Sequence, residues 1–126
     1  MPLEPVLLQL SRSPFAQVQN LPATAIHLRE GFWKERQQTV AEKGLPHGWN
    51  QLQESGSIEA FDIAGGVSPK PDRGLVFRDS DVYKWMESAS YAISLGYSHF
   101  QNHLSALAEK IKKVQDSDGY LNTYFY

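Results

Sequence analysis

Two consecutive stretches of helical periodicity, separated by one glycine-bearing turn, constrain this chain more than any other feature. Val82, Trp85, Met86, Ala89, Ala92 and Ile93 recur at the spacing of one helix face. Asp79 or Ser80 can cap the start of that helix, and Gly96 can end it. Ser98 and Gln101 then have the spacing of a capping box. Beyond them Phe100, Leu104, Leu107, Ala108, Ile111 and Val114 fall along a second stripe. Two amphipathic helices joined by Gly96-Tyr97 predict an antiparallel helical hairpin.

A hairpin returns the chain to the end it left. Phe77-Arg78-Asp79-Ser80-Asp81 should therefore lie beside Asp118-Gly119-Tyr120-Leu121-Asn122. That end gathers carboxylates, a guanidinium, an amide and tyrosines. Sugars are held by such mixtures, because aromatic faces cover the C–H surface of the ring while Asp, Asn and Arg bond its hydroxyls. Plainer readings stand beside this one. Asp79 and Asp81 straddle a helix start, where an acid is favoured by capping and by the helix dipole alone. Asp118-Gly119 reads equally as a turn, and Tyr120 and Tyr124 suit a core as well as a binding face.

The rest of the chain is less patterned. Residues 1–23 mix Pro, Ser, Gln and Asn with scattered apolar residues and read as an arm that docks elsewhere. Thr24 to Arg29 roughly alternate, which predicts a short strand in need of a sheet. Glu30 to Lys43 suits a helix stopped by Gly44. A second helix, with Pro46 in its first turn, runs to about Glu54 before Ser55-Gly56. Gly65 to Gly74 is glycine- and proline-rich and reads as a loop. Asp116 to Gly119 is a turn, after which four aromatic residues fall in the last seven. Such a cluster at a terminus reads as a cut end.

Composition removes several functions. The length of 126 residues fits one domain. A net charge of -2 with no basic patch argues against a nucleic-acid partner. The absence of cysteine excludes disulfides, thiolate metal sites and a cysteine nucleophile within these residues. Met1 to Pro5 lacks a basic signal-peptide region, and Val6-Leu7-Leu8 is too short for a signal core or a membrane span, so a cytoplasmic location is expected. His99 and His103 share the spacing of a zinc pair, but no intervening glutamate or third ligand accompanies them. No nucleophile elbow supports a serine triad, and Gly65-Gly66 is not followed by a phosphate-loop pattern.

Two long motifs carry a family resemblance. Gly74-Leu75-Val76-Phe77-Arg78-Asp79-Ser80-Asp81-Val82-Tyr83-Lys84-Trp85-Met86-Glu87 resembles the signature G-x-V-F-x-D-S-D-V-x-K-W-x-E of glycoside hydrolase family 127, the β-L-arabinofuranosidase-like proteins. Gln115 to Phe125 is similar to that family's Q-x-x-D-G-Y-L-N-T-Y-F. Gly31-Phe32-Trp33 and Leu45-Pro46 through Ala64-Gly65 follow in the family's order, so the resemblance covers residues 24–126. It implies a mainly α fold, part of an (α/α)6 toroid of helical hairpins accompanied by β-sandwich domains, with the short N-terminal strand in or beside a sandwich. His47, Trp49, Asp79, Asp81, Tyr120 and Asn122 become the candidate substrate-binding residues. The position just before Trp49 holds an amide in some members and is Gly48 here.

The chemistry implied by the resemblance is a retaining hydrolysis, with a zinc-bound cysteine thiolate as nucleophile and a glutamate as acid/base. Those groups lie downstream of the second motif in the family, and none has a matching position here. Zinc is therefore expected in a complete family enzyme and no cofactor in these residues. The expected function is that of an N-terminal portion of a glycosidase, inactive alone. The alternative is a small carbohydrate- or protein-binding module. Open hairpin faces should also favour self-association.

Overall fold

The computed structural model describes residues 13–18, 20–71 and 74–125. The apolar stretch Val6-Leu7-Leu8 and the terminal Tyr126 lie outside them. Helix α1 (Phe32–Thr39) continues through a π-helical turn, Val40–Gly44, into α2 (Leu45–Glu54). Then come α3 (Glu59–Ala64), α4 (Asp79–Ser94) and α5 (Gln101–Val114), with short 3-10 turns at Ala23–Ala25, Ser98–Phe100 and Thr123–Phe125. Among the described residues no helix is long and apolar enough to cross a membrane.

The hairpin forms as its periodicity predicts. Val82, Trp85, Ala89 and Ala92 are buried along α4, with Met86 and Ile93 packed at the edge. The α4 end is closed by bonds from Gly96 N–H to Ile93 C=O (3.0 Å) and from Tyr97 N–H to Ala92 C=O (2.9 Å). This closure requires the positive φ of +99° at Gly96, where a side chain would be strained. Phe100, in the 3-10 turn before α5, is buried with Leu107 and Val114 on α5, whereas Ala108 of the expected stripe is exposed.

Helices α2 and α3 complete the core against this hairpin. The Trp85 indole N–H donates to the carbonyl of Leu45 at 2.9 Å, fixing α4 to the start of α2. Trp49 leans on Trp85 with ring centroids 4.9 Å apart, and Phe100 meets Trp85 edge-on at 5.8 Å. Asp62 on α3 pairs with Lys110 on α5.

The structure corrects four local expectations. Gly44 does not stop a helix. It is helical (φ -65°, ψ -49°) and leads directly into α2. Ala41 and Leu45 are both buried beside it, and that burial outweighs the roughly 1 kcal/mol cost of a helical glycine. Pro46 at the start of α2 has no N–H to continue the ladder, and the wider turn places it where none is needed. The strand expected over Thr24–Arg29 is not formed. Ala23–Ala25 make a 3-10 turn, the following residues are irregular and exposed, and no described residue offers a partner strand.

The two expected caps are also replaced. Arg78 precedes α4 and no side chain caps that helix, because the Asp79 carboxylate is engaged elsewhere. Ser98 and Gln101 form no capping box. A 3-10 turn that buries Phe100 leads into α5 instead.

Candidate functional site: the motif end of the hairpin

The start of α4 and the segment after α5 are joined, as the hairpin topology requires. Asp79 is 6 % exposed, and its carboxylate accepts from the backbone N–H of Thr123 at 2.8 Å and from the Thr123 hydroxyl at 2.6 Å. Thr123 is itself 2 % exposed. The Asn122 amide donates to the carbonyl of Val76 at 3.4 Å, and its oxygen accepts from the N–H of Tyr124 at 3.0 Å. Two segments 44 residues apart are thus clasped by one carboxylate, with one amide beside it.

The turn feeding this clasp is built locally. Asp116 N–H bonds Tyr120 C=O and Gly119 N–H bonds Asp116 C=O, both at 2.9 Å, with Gly119 at φ +93°. The Asp118 carboxylate accepts from Tyr120 N–H at 2.9 Å. The turn leaves Tyr120 half exposed, with Tyr124 and Phe125 also exposed beyond it.

A cavity of about 590 Å³ opens between α2 and the loop that enters α4. Gln51 lines it from α2 and Ser55 from just past its end, Phe77 and Arg78 from the loop, and Asp81 and Trp85 from α4. Gly48 forms part of the wall, where a Cβ would stand 3.1 Å from Trp85 Cδ1. The Arg78 side chain folds back over Gly74 so closely that any Cβ at position 74 would overlap the guanidinium. The cavity therefore combines an aromatic wall with a guanidinium, a carboxylate, an amide and a hydroxyl. Stacking on ring faces and bonding of hydroxyls are both available there.

The six residues picked from sequence separate into three groups. Asp81 alone lines the cavity, exposed and paired with Lys84 at 3.2 Å. Asp79, Asn122 and Tyr120 lie at the same end, but Asp79 is turned inward to Thr123. Trp49 packs within the aromatic cluster, 4.4 Å edge-on from His103, and His47 is exposed on α2. Sequence reasoning missed Gln51, Ser55 and Thr123. A small polar residue amid aromatics was the only signal for Thr123. The glycine four residues before Arg78 was a signal for how that side chain lies.

One titration is displaced at this end. Burial, and secondarily the Asp79 carboxylate, push the Tyr83 hydroxyl up to about 12. Zinc has no fitting donor set here: the sequence has no cysteine, and no three His, Asp or Glu among the described residues could hold a metal. His99 stacks on Phe100 at 4.0 Å, and His103 sits against Trp49.

The structure is mainly helical, and one end of its hairpin joins two motif loops beside an open polar–aromatic cavity. Comparison makes the assignment particular. The family model for the β-L-arabinofuranosidase GH127 catalytic domain matches residues 25–126. A non-reducing end β-L-arabinofuranosidase of Bifidobacterium longum subsp. longum is 35% identical over 115 residues, which cover 73% of this chain and 17% of that protein. The crystal structure of Ara127N-Se, a GH127 β-L-arabinofuranosidase from Geobacillus stearothermophilus T6, superposes with a TM-score of 0.75 at 34% identity. That match covers 79% of this chain and 17% of the solved one. The chain belongs to glycoside hydrolase family 127, and it spans 17% of the length of these relatives.

Proposed function

We propose that these residues form the N-terminal part of a GH127 catalytic domain acting on β-L-arabinofuranosides or related glycosides, and that they help to hold the sugar without performing the chemistry. The Asp79–Thr123 clasp carries the reading, because it joins the two family motifs at one end of the hairpin beside the cavity. Asp81, Tyr120 and Asn122, with Gln51 and Arg78, are the groups proposed to face substrate, and Asp79 is proposed to position them. His47 and Trp49 stand in this reading as flanking contacts on α2. The hairpin forms an early member of the (α/α)6 toroid.

No proton-transfer pair or nucleophile is proposed within these residues. The thiolate nucleophile of the family resemblance requires a cysteine, and the sequence contains none. Exposed Leu75, Phe77, Tyr124 and Phe125 at the motif end support self-association of the isolated chain through that surface.

The test is a chimera in which residues 25–126 replace the matching segment of the Geobacillus stearothermophilus enzyme. The chimera should hydrolyse a chromogenic β-L-arabinofuranoside, and the 126-residue chain alone should not, with or without zinc and thiol. Hydrolysis by the chain alone, or a folded chimera without activity, would overturn the reading.

A further inference from the structure

The cavity between α2 and the loop entering α4 has a gap built into its wall. Gly48, Gln51 and Leu52 of α2 line it, with Ser55 just past the helix end. That spacing, i, i+3, i+4 and i+7, is a single helix face. The face presents an amide, an isobutyl group and a hydroxyl to the cavity, and at Gly48 only backbone. A glycine inside a helix costs about 1 kcal/mol relative to alanine, and no positive φ requires one at this position.

Gly48 faces Trp85. A Cβ there would stand 3.1 Å from Cδ1 and 3.6 Å from Nε1 of the indole. The indole is held by its N–H bond to the Leu45 carbonyl at 2.9 Å and by the Trp49 ring at 4.9 Å. A side chain at position 48 would therefore fill the space beside the indole edge. Both walls of this gap, α2 and α4, belong to this chain.

The gap is of mixed character. The Trp85 edge and the Gly48 Cα are apolar, and Gln51 stands one turn along the same face. Its Nε2 donates to Glu54 at 2.8 Å, which leaves the amide oxygen to accept from a hydroxyl. One carbon bearing one hydroxyl matches that pair of surfaces. The cavity, at about 590 Å³, is in the range of sites that enclose drug-sized ligands, so a single pentofuranose does not fill it. Among furanosides, an α-D-galactofuranoside has the ring configuration of a β-L-arabinofuranoside and carries one more hydroxymethyl group on its exocyclic carbon.

We propose that Gly48 determines the size of sugar accepted, and that the gap beside Trp85 admits the additional hydroxymethyl group of a six-carbon furanoside. The proposal rests on the reading that this cavity holds the sugar of a GH127 enzyme, and it extends that reading to a larger substrate class.

The experiment measures kcat/KM of the chimera with the Geobacillus enzyme on a chromogenic β-L-arabinofuranoside and on the matching α-D-galactofuranoside. The chimera should hydrolyse both. Gly48→Ala should lower kcat/KM for the galactofuranoside about tenfold further than for the arabinofuranoside, the scale of a one-carbon misfit in a pocket, and Gly48→Gln further still. Strain against Trp85 alone lowers the population of folded enzyme and moves both substrates together. Equal losses, or an unaltered chimera active on the arabinofuranoside only, would therefore overturn the proposal. A folded chimera inactive toward both sugars counts against the proposed function. The proposal is then decided in the Geobacillus enzyme itself, with glycine, alanine and glutamine placed in turn at the structurally aligned position. The ratio of galactofuranoside to arabinofuranoside hydrolysis should fall in that order, and an unchanged ratio overturns it.

Discussion

Both carboxylate oxygens of Asp79 are bonded to a single residue, Thr123, one through its backbone N–H and the other through its hydroxyl. A buried carboxylate is costly unless its lone pairs are satisfied, and here a donor pair from 44 residues away satisfies them. Thr123→Val keeps the shape and removes the shorter bond, which should cost about 2 kcal/mol. Asp79→Ala strands two donors and should cost about 3 kcal/mol. In urea unfolding the double variant should fall short of the sum by about 1–2 kcal/mol. Strict additivity would mean that the two residues do not act as a pair.

The cavity wall gives a second prediction at Gly48. Alanine there gains about 1 kcal/mol of helix propensity, but its Cβ would press on Trp85 Cδ1 at 3.1 Å. Trp85 cannot retreat easily, because its N–H holds the Leu45 carbonyl and Trp49 leans on its ring. Overpacking of about 1–3 kcal/mol therefore prevails. Gly48→Ala should lower stability by about 1 kcal/mol net, and Gly48→Gln, which also enters the cavity, by more. A rise in the urea midpoint for Gly48→Ala would show that the indole moves freely.

Trp85 itself joins two helices through one polar atom. Trp85→Phe removes the bond to Leu45 and leaves a void beside Phe100 and Trp49. A loss of about 2–3 kcal/mol is expected, from roughly 1 for the bond and the rest for the cavity. Chemical denaturation followed by near-ultraviolet circular dichroism would measure it.

The parts of this fold that were legible in sequence are those written in neighbouring residues. The α4 stripe, the α5 stripe apart from the exposed Ala108, Gly96 as a terminator and the turn at Gly119 depend on contacts within a few positions, and they appear as read. The meeting of the two motifs followed from topology alone. What failed depended on distant partners. A helix-start aspartate looks the same in sequence whether it caps its own backbone or, as Asp79 does, binds a threonine 44 residues on. Gly44 signals a stop unless one knows that Ala41 and Leu45 are both buried. The alternation over Thr24–Arg29 could not reveal that no described strand was available to pair with it. Gln51 and Ser55 reached the cavity through the packing of α2 on α4, which no local pattern encodes.

The last prediction concerns alkaline pH. The Tyr83 hydroxyl is pushed up to about 12, first by burial and then by the Asp79 carboxylate. In the unfolded chain it should ionise near the ordinary tyrosine value of about 10. Between those values the unfolded state has lost a proton that the folded state retains. The contribution is therefore fully present below about pH 10 and is lost as pH rises toward 12. Tyr91 is also raised, chiefly by its hydrogen bond to the Glu87 carboxylate, so two tyrosines should titrate late in the 295 nm absorbance. Tyr83→Phe should remove one late phase and flatten the fall of stability with pH. Asp79→Asn should move that phase to lower pH, because it removes the neighbouring negative charge while burial persists. A Tyr83 titration unchanged in Asp79→Asn would leave burial as its only cause.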